Sequence, residues 1–508
     1  MTSRRRAILL VAGCLILVVI FAVSGVTASP PQQDPEFVFV VTTTEDHNDG
    51  FCNADCSLRD AIIAANQLDY HATILLPSGT YTLTLEGPGE DDCLTGDLDI
   101  LSGLTIIGDG PETTIIDAAG MSGDPDRVFE IHAISIGAYN VDLSSLTITG
   151  GDAGAEDGGG IRNGSAGLVL HNSGVTGNSA QYGGGIHTHY GPVQLVDSTV
   201  TENSAAINGG GIYTLDGRIE LDHTSLIGNT SGGDGGGVYS DCDESLYLEH
   251  STVSANSAAQ GGGIFGFEST MSLLESTISG NDAGEGGGIY NFYGTLYLDH
   301  STVEGNAAET EGGGIVQHGH NLLTEVSLMD STISGNSAGS MGGGISNKLG
   351  GEMNLYNTTV SENSAPDGGG IHSYYASTSL QNTIVANNRS GGDCYDQRSG
   401  VFLSNGHNLD SDGTCNLVPA EGDLPNADPM LGPLQDNGGP TLTHALLFGS
   451  PAIDAGDNSA CGATDQRGFK RPMDGDGDGT ATCDIGAFEH LGLRARFPLV
   501  LSNYGPSP

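Results

Sequence analysis

Apolar and polar residues alternate along most of this chain, in short runs. In Thr295-Leu-Tyr-Leu-Asp-His-Ser-Thr-Val303, Leu296 and Leu298 share one face and Tyr297 takes the other. The pairs Val193/Leu195, Ile219/Leu221 and Leu246/Leu248 repeat the arrangement. A period of two without a 3.6-residue stripe predicts strands divided by Gly and Asn turns. The runs also recur. A Gly-Gly-Gly triplet precedes Ile161, Ile186, Ile212, Val238, Ile264, Ile289, Ile315, Ile345 and Ile371, at spacings of 25, 26, 26, 26, 25, 26, 30 and 26. A second ladder runs Val175, Val200, Leu226, Val253, Ile278, Val303, Ile333, Val360, Val385. An Asn follows each of these three residues later, from Asn178 to Asn388. One such unit cannot bury its apolar face alone, whereas stacked units can. Three short strands with their turns fill the period. The expected fold is all-β, a parallel β-helix of about 12 coils.

No Gly-Lys-Ser/Thr and no helical pattern follows any triplet, which argues against a phosphate loop. Tight corners at positive φ explain the glycines, and the Asn column predicts stacked side-chain amides. Residues 73–150 continue the strands as about three irregular coils without triplets. Before them, Ser57 to Asn66 predicts a short helix. Ser57 is its N-cap, Asp60 stands in the capping-box position, and Leu58, Ala61, Ile62 and Ala65 form its apolar face. Such a helix would cover the open end of the solenoid.

Composition narrows the function classes. Of 508 residues, 81 are Gly, 63 are Asp or Glu and 15 are Lys or Arg, giving a net charge of −48. No Gly-X-Y register exists, so collagen is excluded. The acid excess argues against nucleic acid and anionic lipid as partners. The only lysines are Lys348 and Lys470. At the N-terminus, Arg4 to Arg6, an apolar run from Ala7 to Val26 and the small residues Val26-Thr27-Ala28 predict an export signal. A retained anchor, and a lipoprotein box at Val11 to Cys14, are the competing readings. Membrane contact is expected only through this signal or an anchor. The expected organisation is a signal peptide at 1–28, an N-terminal strand and capping helix at 29–70, the β-helix at 71–395, a small module at 396–490 and a tail at 491–508. Without Cys14, eight cysteines remain, an even number in an exported chain, which suggests disulfides. Proximity favours Cys52 with Cys56, Cys394 with Cys415, and Cys461 with Cys483. Cys93 and Cys242 are left unassigned.

Cys56-Ser-Leu-Arg-Asp-Ala-Ile62 resembles the CSLREA motif of exported bacterial β-helix proteins, with Asp60 in place of Glu. The triplet and Asn repeats are similar to those of pectin-lyase-fold proteins and of polymorphic outer-membrane proteins. Asn437-Gly-Gly-Pro-Thr-Leu-Thr443, Ser450-Pro-Ala-Ile-Asp-Ala-Gly456, Asp465-Gln-Arg-Gly468 and Cys483-Asp-Ile-Gly-Ala-Phe-Glu489 resemble the choice-of-anchor Q domain. Together these cover nearly all of residues 40–490. They imply an exported, surface-associated protein of the right-handed parallel β-helix class, outside the cell or on its surface, and they imply no particular reaction. The tail segment Phe497 to Tyr504 reads as a sorting element or a last strand.

Catalysis has weak support in the residues. The hydrolases of this fold carry Asn-Thr-Asp, Asp-Asp, Gly-His-Gly and Arg-Ile-Lys. Here Asp91-Asp92 lies upstream of the regular coils, and neither Gly-His-Gly nor Arg-Ile-Lys occurs. The 30-residue interval from Ile315 to Ile345, with His318, His320 and Glu325, is where an interruption is expected. A lyase or hydrolase, and a purely structural envelope protein, are the alternatives to binding. Binding rests on the residue after each ladder Ile or Val, which should point outward. That column holds Tyr213, Tyr239, Phe265 and Tyr290, flanked by Phe267 and Phe292 two residues on. An exposed aromatic row would stack on a polysaccharide or meet a cell-surface component. Its bland counterpart is a row that covers its own strands. A second outer column, with His223, His250 and His300, reads as a solvated polar ladder or a metal site. No motif requires a cofactor. The loop Asp474-Gly-Asp-Gly-Asp-Gly479 begins like a calcium loop through Asp474, Asp476 and Asp478, but Ile485 stands where an EF-hand has Glu.

Overall fold

The computed structural model describes residues 37–492 apart from 69, 133–138, 242–244 and 320–324. The predicted signal peptide, Cys242, His320 and residues 493–508 of the tail lie outside the described residues.

Each regular coil feeds parallel sheets in a fixed order. In one coil Ile186–His189 joins the first sheet, Val193–Val196 the second, Thr199–Thr201 the third and Ser204–Asn208 the fourth. The sheets hold 12, 14, 13 and 7 strands respectively. Register shifts by one whole repeat, so Ile186 pairs with Ile212, Val193 with Ile219 and Val200 with Leu226. The chain is therefore a parallel β-helix. Its strands run from Phe37–Val40 to Leu409–Asp410, past both ends of the 71–395 span. The expected coil had three strands, and the fourth sheet corrects this. Its segments, such as Ser204–Asn208, are rich in Ser and Ala and read as turns in isolation. Pairing between coils makes strands of them from Ser179–Tyr182 to Ser337–Ala338.

The Ile column and the Val ladder are buried throughout, together with Val193/Leu195 and their equivalents. Polar groups inside this core are paired along the axis. Asn203 Oδ1 accepts from the backbone N–H and from Nδ2 of Asn178, both at 3.0 Å. Asn203 Nδ2 donates to Val175 O and to Asn229 Oδ1, both at 3.0 Å. The same pattern continues to Asn388, with Asn363 Nδ2 donating to Asn388 Oδ1 at 3.1 Å. It crosses the long interval unbroken, with Asn306 and Asn336 bonded at 2.9 Å. A second buried ladder, absent from the sequence reading, runs through Ser173, Ser198, Thr224, Ser251, Ser276, Ser301, Ser331, Thr358 and Thr383. The backbone N–H of Ser251 donates to Ser276 Oγ at 3.1 Å, and the Ser251 hydroxyl donates to Glu249 O at 2.8 Å.

The glycines have two separate duties. Only the first of each triplet is left-handed, as Gly209 at φ +69°. The other two are held by crowding. A Cβ on Gly210 would run into the Thr230 carbonyl, and one on Gly211 would lie 2.6 Å from Gly237 O. The expectation of positive φ thus holds for one glycine in three, because the remaining pair faces the next coil's backbone.

Leu58–Asn66 forms helix α1, with Ser57 as N-cap and a capping box through Asp60. Its apolar face is buried and covers the N-terminal end of the core. Arg59 of the same helix is buried too. Its Nε donates to Asp46 Oδ1 at 2.9 Å, and its Nη1 and Nη2 donate to the carbonyls of Asp97 and Gly96 at 2.8 Å. The three cysteine pairs favoured by proximity are all disulfides. Cys93 is a buried thiol that burial pushes up to about 12.

Beyond Asp410 the chain turns back along the rod. A hairpin of Leu431–Gln435 and Thr443–Leu446 and the loops after it lie against the outer face of the third sheet. Thr302 donates to Leu442 O at 2.8 Å, Thr332 to Gln466 Oε1 at 2.6 Å, and the Ala487 N–H to Thr359 Oγ1 at 3.1 Å. Arg471 is buried between Asp330, at 3.3 Å, and Glu489, at 3.4 Å.

Replacing Asn256 by Ala would strand the N–H and Nδ2 of Asn229 and the carbonyl of Leu226 inside the core. We expect a loss of about 2–4 kcal/mol, read as a lower denaturant midpoint than wild type, while an exposed control such as Thr270→Ala changes little.

Candidate binding site

In-register pairing fixes what the outer faces look like. On the first sheet, the residues after the ladder positions form one column: Asp99, Glu130, Arg162, His187, Tyr213, Tyr239, Phe265, Tyr290, Val316, Ser346, His372 and Tyr395. Adjacent strands lie about 4.8 Å apart, so neighbouring rings must stack. Tyr213 and Tyr239 are 4.9 Å apart, Tyr239 and Phe265 5.2 Å, and Phe265 and Tyr290 5.4 Å. Phe267 and Phe292 stack beside them at 5.4 Å.

This changes the expected aromatic row. The rings do lie on the outer side of the strands, but Tyr239, Phe265 and Tyr290 are buried, while Tyr213, Phe267 and Phe292 are half-buried. Two causes are visible. Each ring face is taken by its neighbour, and the first glycine of the same coil's triplet passes close to the base of the side chain. A Cβ on Gly209, for instance, would lie 2.6 Å from Tyr213 Cβ. The column is a self-stacked spine. Exposed tyrosines include Tyr247 and Tyr297 on the second sheet and, beyond the spine, Tyr375 and Tyr395 near the C-terminal end of the first.

At its N-terminal end the same column gathers charge. Asp97, Asp99 and Glu130 bring carboxylate oxygens within 4.8 Å of one another. Arg127 pairs with Asp97 at 3.2 Å and with Glu130, and Arg162 also pairs with Glu130. His132 hydrogen-bonds Asp99 at 2.7 Å, which holds its imidazole above the usual value. Burial, reinforced by Asp126 and Asp99, pushes Asp97 up to about 9. These acids are buried and largely neutralised, which makes a closed ionic network.

Toward the C-terminal end the spine stops, because Val316 and Ser346 replace rings. Beyond that end lies a groove of about 390 Å³ whose lining includes Glu311, Lys348, His372, Tyr374, Gln397 and Arg398. Lys348 Nζ lies 3.1 Å from Glu285 and in contact with Glu311, 5.4 Å over the Tyr290 ring. Ser346 donates to Glu311 at 3.0 Å, and Tyr290 Oη pairs with His318 Nδ1 at 3.1 Å. His372 forms part of the floor beside Tyr374 and Tyr395, and burial holds its imidazole below the usual value.

Residues 197–215 match the Chlamydia polymorphic membrane protein repeat. That stretch holds Asn203 of the amide ladder and the Gly209–Gly211 triplet. No curated protein matches the chain. Among solved structures it is similar to the Azotobacter vinelandii mannuronan C-5 epimerase AlgE6 A-module, at 13% identity and a TM-score of 0.36, over 70% of this chain and 94% of that one. It is also similar to pectate lyase Pel9A, at 14% identity and a TM-score of 0.38, over 90% of this chain and 97% of that one. Likeness at this level carries no activity across.

The histidine column has a backbone explanation. Asn172, Asp197, His223, His250, Glu275, His300, Asp330, Asn357 and Asn382 all sit at the corner between the second and third sheets with φ between 44° and 50°. Asn, Asp and His are the side chains most often found in that left-handed region. Asp222, His223 and His250, and likewise Asp299, His300 and Asp330, come within ligand distance of one another as a result. In the acidic loop, Asp474 and Asp476 are brought to Asp454, which the sequence reading missed. Asp478 is not in that group. Asp454 accepts from the N–H groups of Gly475, at 3.2 Å, and Asp476, at 2.6 Å.

Stability should fall as pH rises. Burial raises Asp484 and Glu489, pushes Asp330 up to about 6 and Asp97 up to about 9. Between the ordinary carboxyl range near pH 4 and these values, the folded chain keeps protons that the unfolded chain releases. The contribution is complete below about pH 4 and is lost as pH climbs through the folded values. Guanidinium unfolding at pH 6 and pH 9 should give the lower midpoint at pH 9.

Proposed function

We propose that this protein is an exported cell-surface rod that binds polysaccharide, without cleaving it, through the groove at the C-terminal end of the first sheet. The observation that carries the reading is that groove, where aromatic, cationic, acidic and amide side chains from consecutive coils border one concavity. Pockets of this mixed make-up are the usual form of ligand sites. Export is supported by the N-terminal signal pattern, by three disulfides and by the repeat shared with polymorphic membrane proteins. The CSLREA-like stretch supports the cap, and the choice-of-anchor-like segment supports attachment to a surface. Unbroken ladders through the long interval favour a scaffold over a reaction centre.

The test is incubation of the protein from Ser29 onward with acidic and neutral polysaccharides, recording both retention and new chain ends. Retention without new ends is expected, and new ends would overturn the non-catalytic reading. Calcium belongs to the same proposal at Asp454, Asp474 and Asp476. Isothermal titration should show calcium uptake lost in Asp454→Asn and kept in Asp478→Asn. Equal uptake by both variants would reject that assignment.

A further inference from the structure

We infer that the groove floored by His372 takes a neutral hexose unit of the polysaccharide and discriminates against uronate units. This rests on the polysaccharide reading and narrows it to one substrate class.

Three observations carry it. First, register builds the groove from two rows. Lys348, Tyr374 and Gln397 pair in one row along the groove, and His372 enters it from the neighbouring row. Three strands span about 10 Å, the scale of a sugar ring with its linkage. Second, His372 is only 1% exposed, and neither of its ring nitrogens makes a well-formed hydrogen bond, the Gln397 side chain being only a loose neighbour. Buried polar atoms are normally paired. A neutral imidazole offers one donor and one acceptor, and a sugar hydroxyl matches both. Tyr374 lies beside His372 with its ring 4.7 Å from that of Tyr375, which is exposed at the rim. These rings suit the apolar face of a pyranose.

Third, the charges are already balanced. Glu285 and Glu311 hold Lys348, and with Arg398 and Asp367 beside His372 no cation is left in excess. A uronate carboxylate would have to displace Glu311 from Lys348, and it would approach a chain of net charge −48. Both effects oppose an anionic glycan. A neutral ring meets neither.

The experiment is isothermal titration of the full chain from Ser29 with soluble β-glucan, α-mannan and polygalacturonate, at low and high salt. Binding of a neutral polysaccharide with little salt dependence is expected, weakened about tenfold by His372→Ala and by Gln397→Ala. Gln397 is at the surface end of the groove, so its variant keeps the test open if His372→Ala unfolds, which thermal melts will show. Preference for polygalacturonate would overturn the neutral class. Neutral binding unchanged in a folded variant would overturn this groove as the site while leaving polysaccharide binding by the chain standing. No retention of any polysaccharide would overturn both.

Discussion

Every coil must return to register one strand spacing above the last, and the Asn178–Asn388 amide ladder is the interaction that enforces this inside the core. Each amide makes bonds to the coils on both sides, so a coil of the wrong length would leave two neighbours unsatisfied in an apolar interior. Buried polar networks are costly when incomplete, which is why the ladder tolerates added length only outside it. The interval from Ile315 to Ile345 is longer than its neighbours, and the bond from Asn306 to Asn336 is preserved across it.

The same registration decides the surface. Stacking like on like turns a column of aromatic residues into a spine whose ring faces are consumed internally. Function is then displaced to the place where the column changes residue type. Val316 and Ser346 remove ring bulk, and the groove around Lys348 and His372 opens where the spine ends. The corner column follows an equivalent rule. Its histidines stand where the backbone is left-handed, so their alignment reports a turn before it reports a ligand.

Charge follows burial rather than composition. Acids dominate the chain, yet many buried ones are gathered with Arg59 and Arg127 in the N-terminal coils and with Arg467 and Arg471 in the C-terminal module. The C-terminal module uses such a network, with the second small core around Ile384, Leu409 and Phe488, to lie along the third sheet. Residues more than a hundred positions apart meet there, as Thr332 and Gln466 do.

The repeat period, the alternation within it and the Asn column were enough to determine a parallel solenoid, its buried ladders and its capping helix. These are local or periodic properties, and stacking repeats are their consequence. Proximity along the chain also located the three disulfides. The fourth sheet was hidden because its Ser and Ala segments become strands only when neighbouring coils supply hydrogen bonds. The burial of Tyr239, Phe265 and Tyr290 was hidden because alternation tells which side of a strand a residue takes, and not what covers that side. Asp454 joining Asp474 and Asp476, the C-terminal module folding back on the third sheet, and the groove at His372 depend on contacts between distant parts of the chain. Only the tertiary structure could decide them, since no periodicity encodes how far one column's missing volume opens the next.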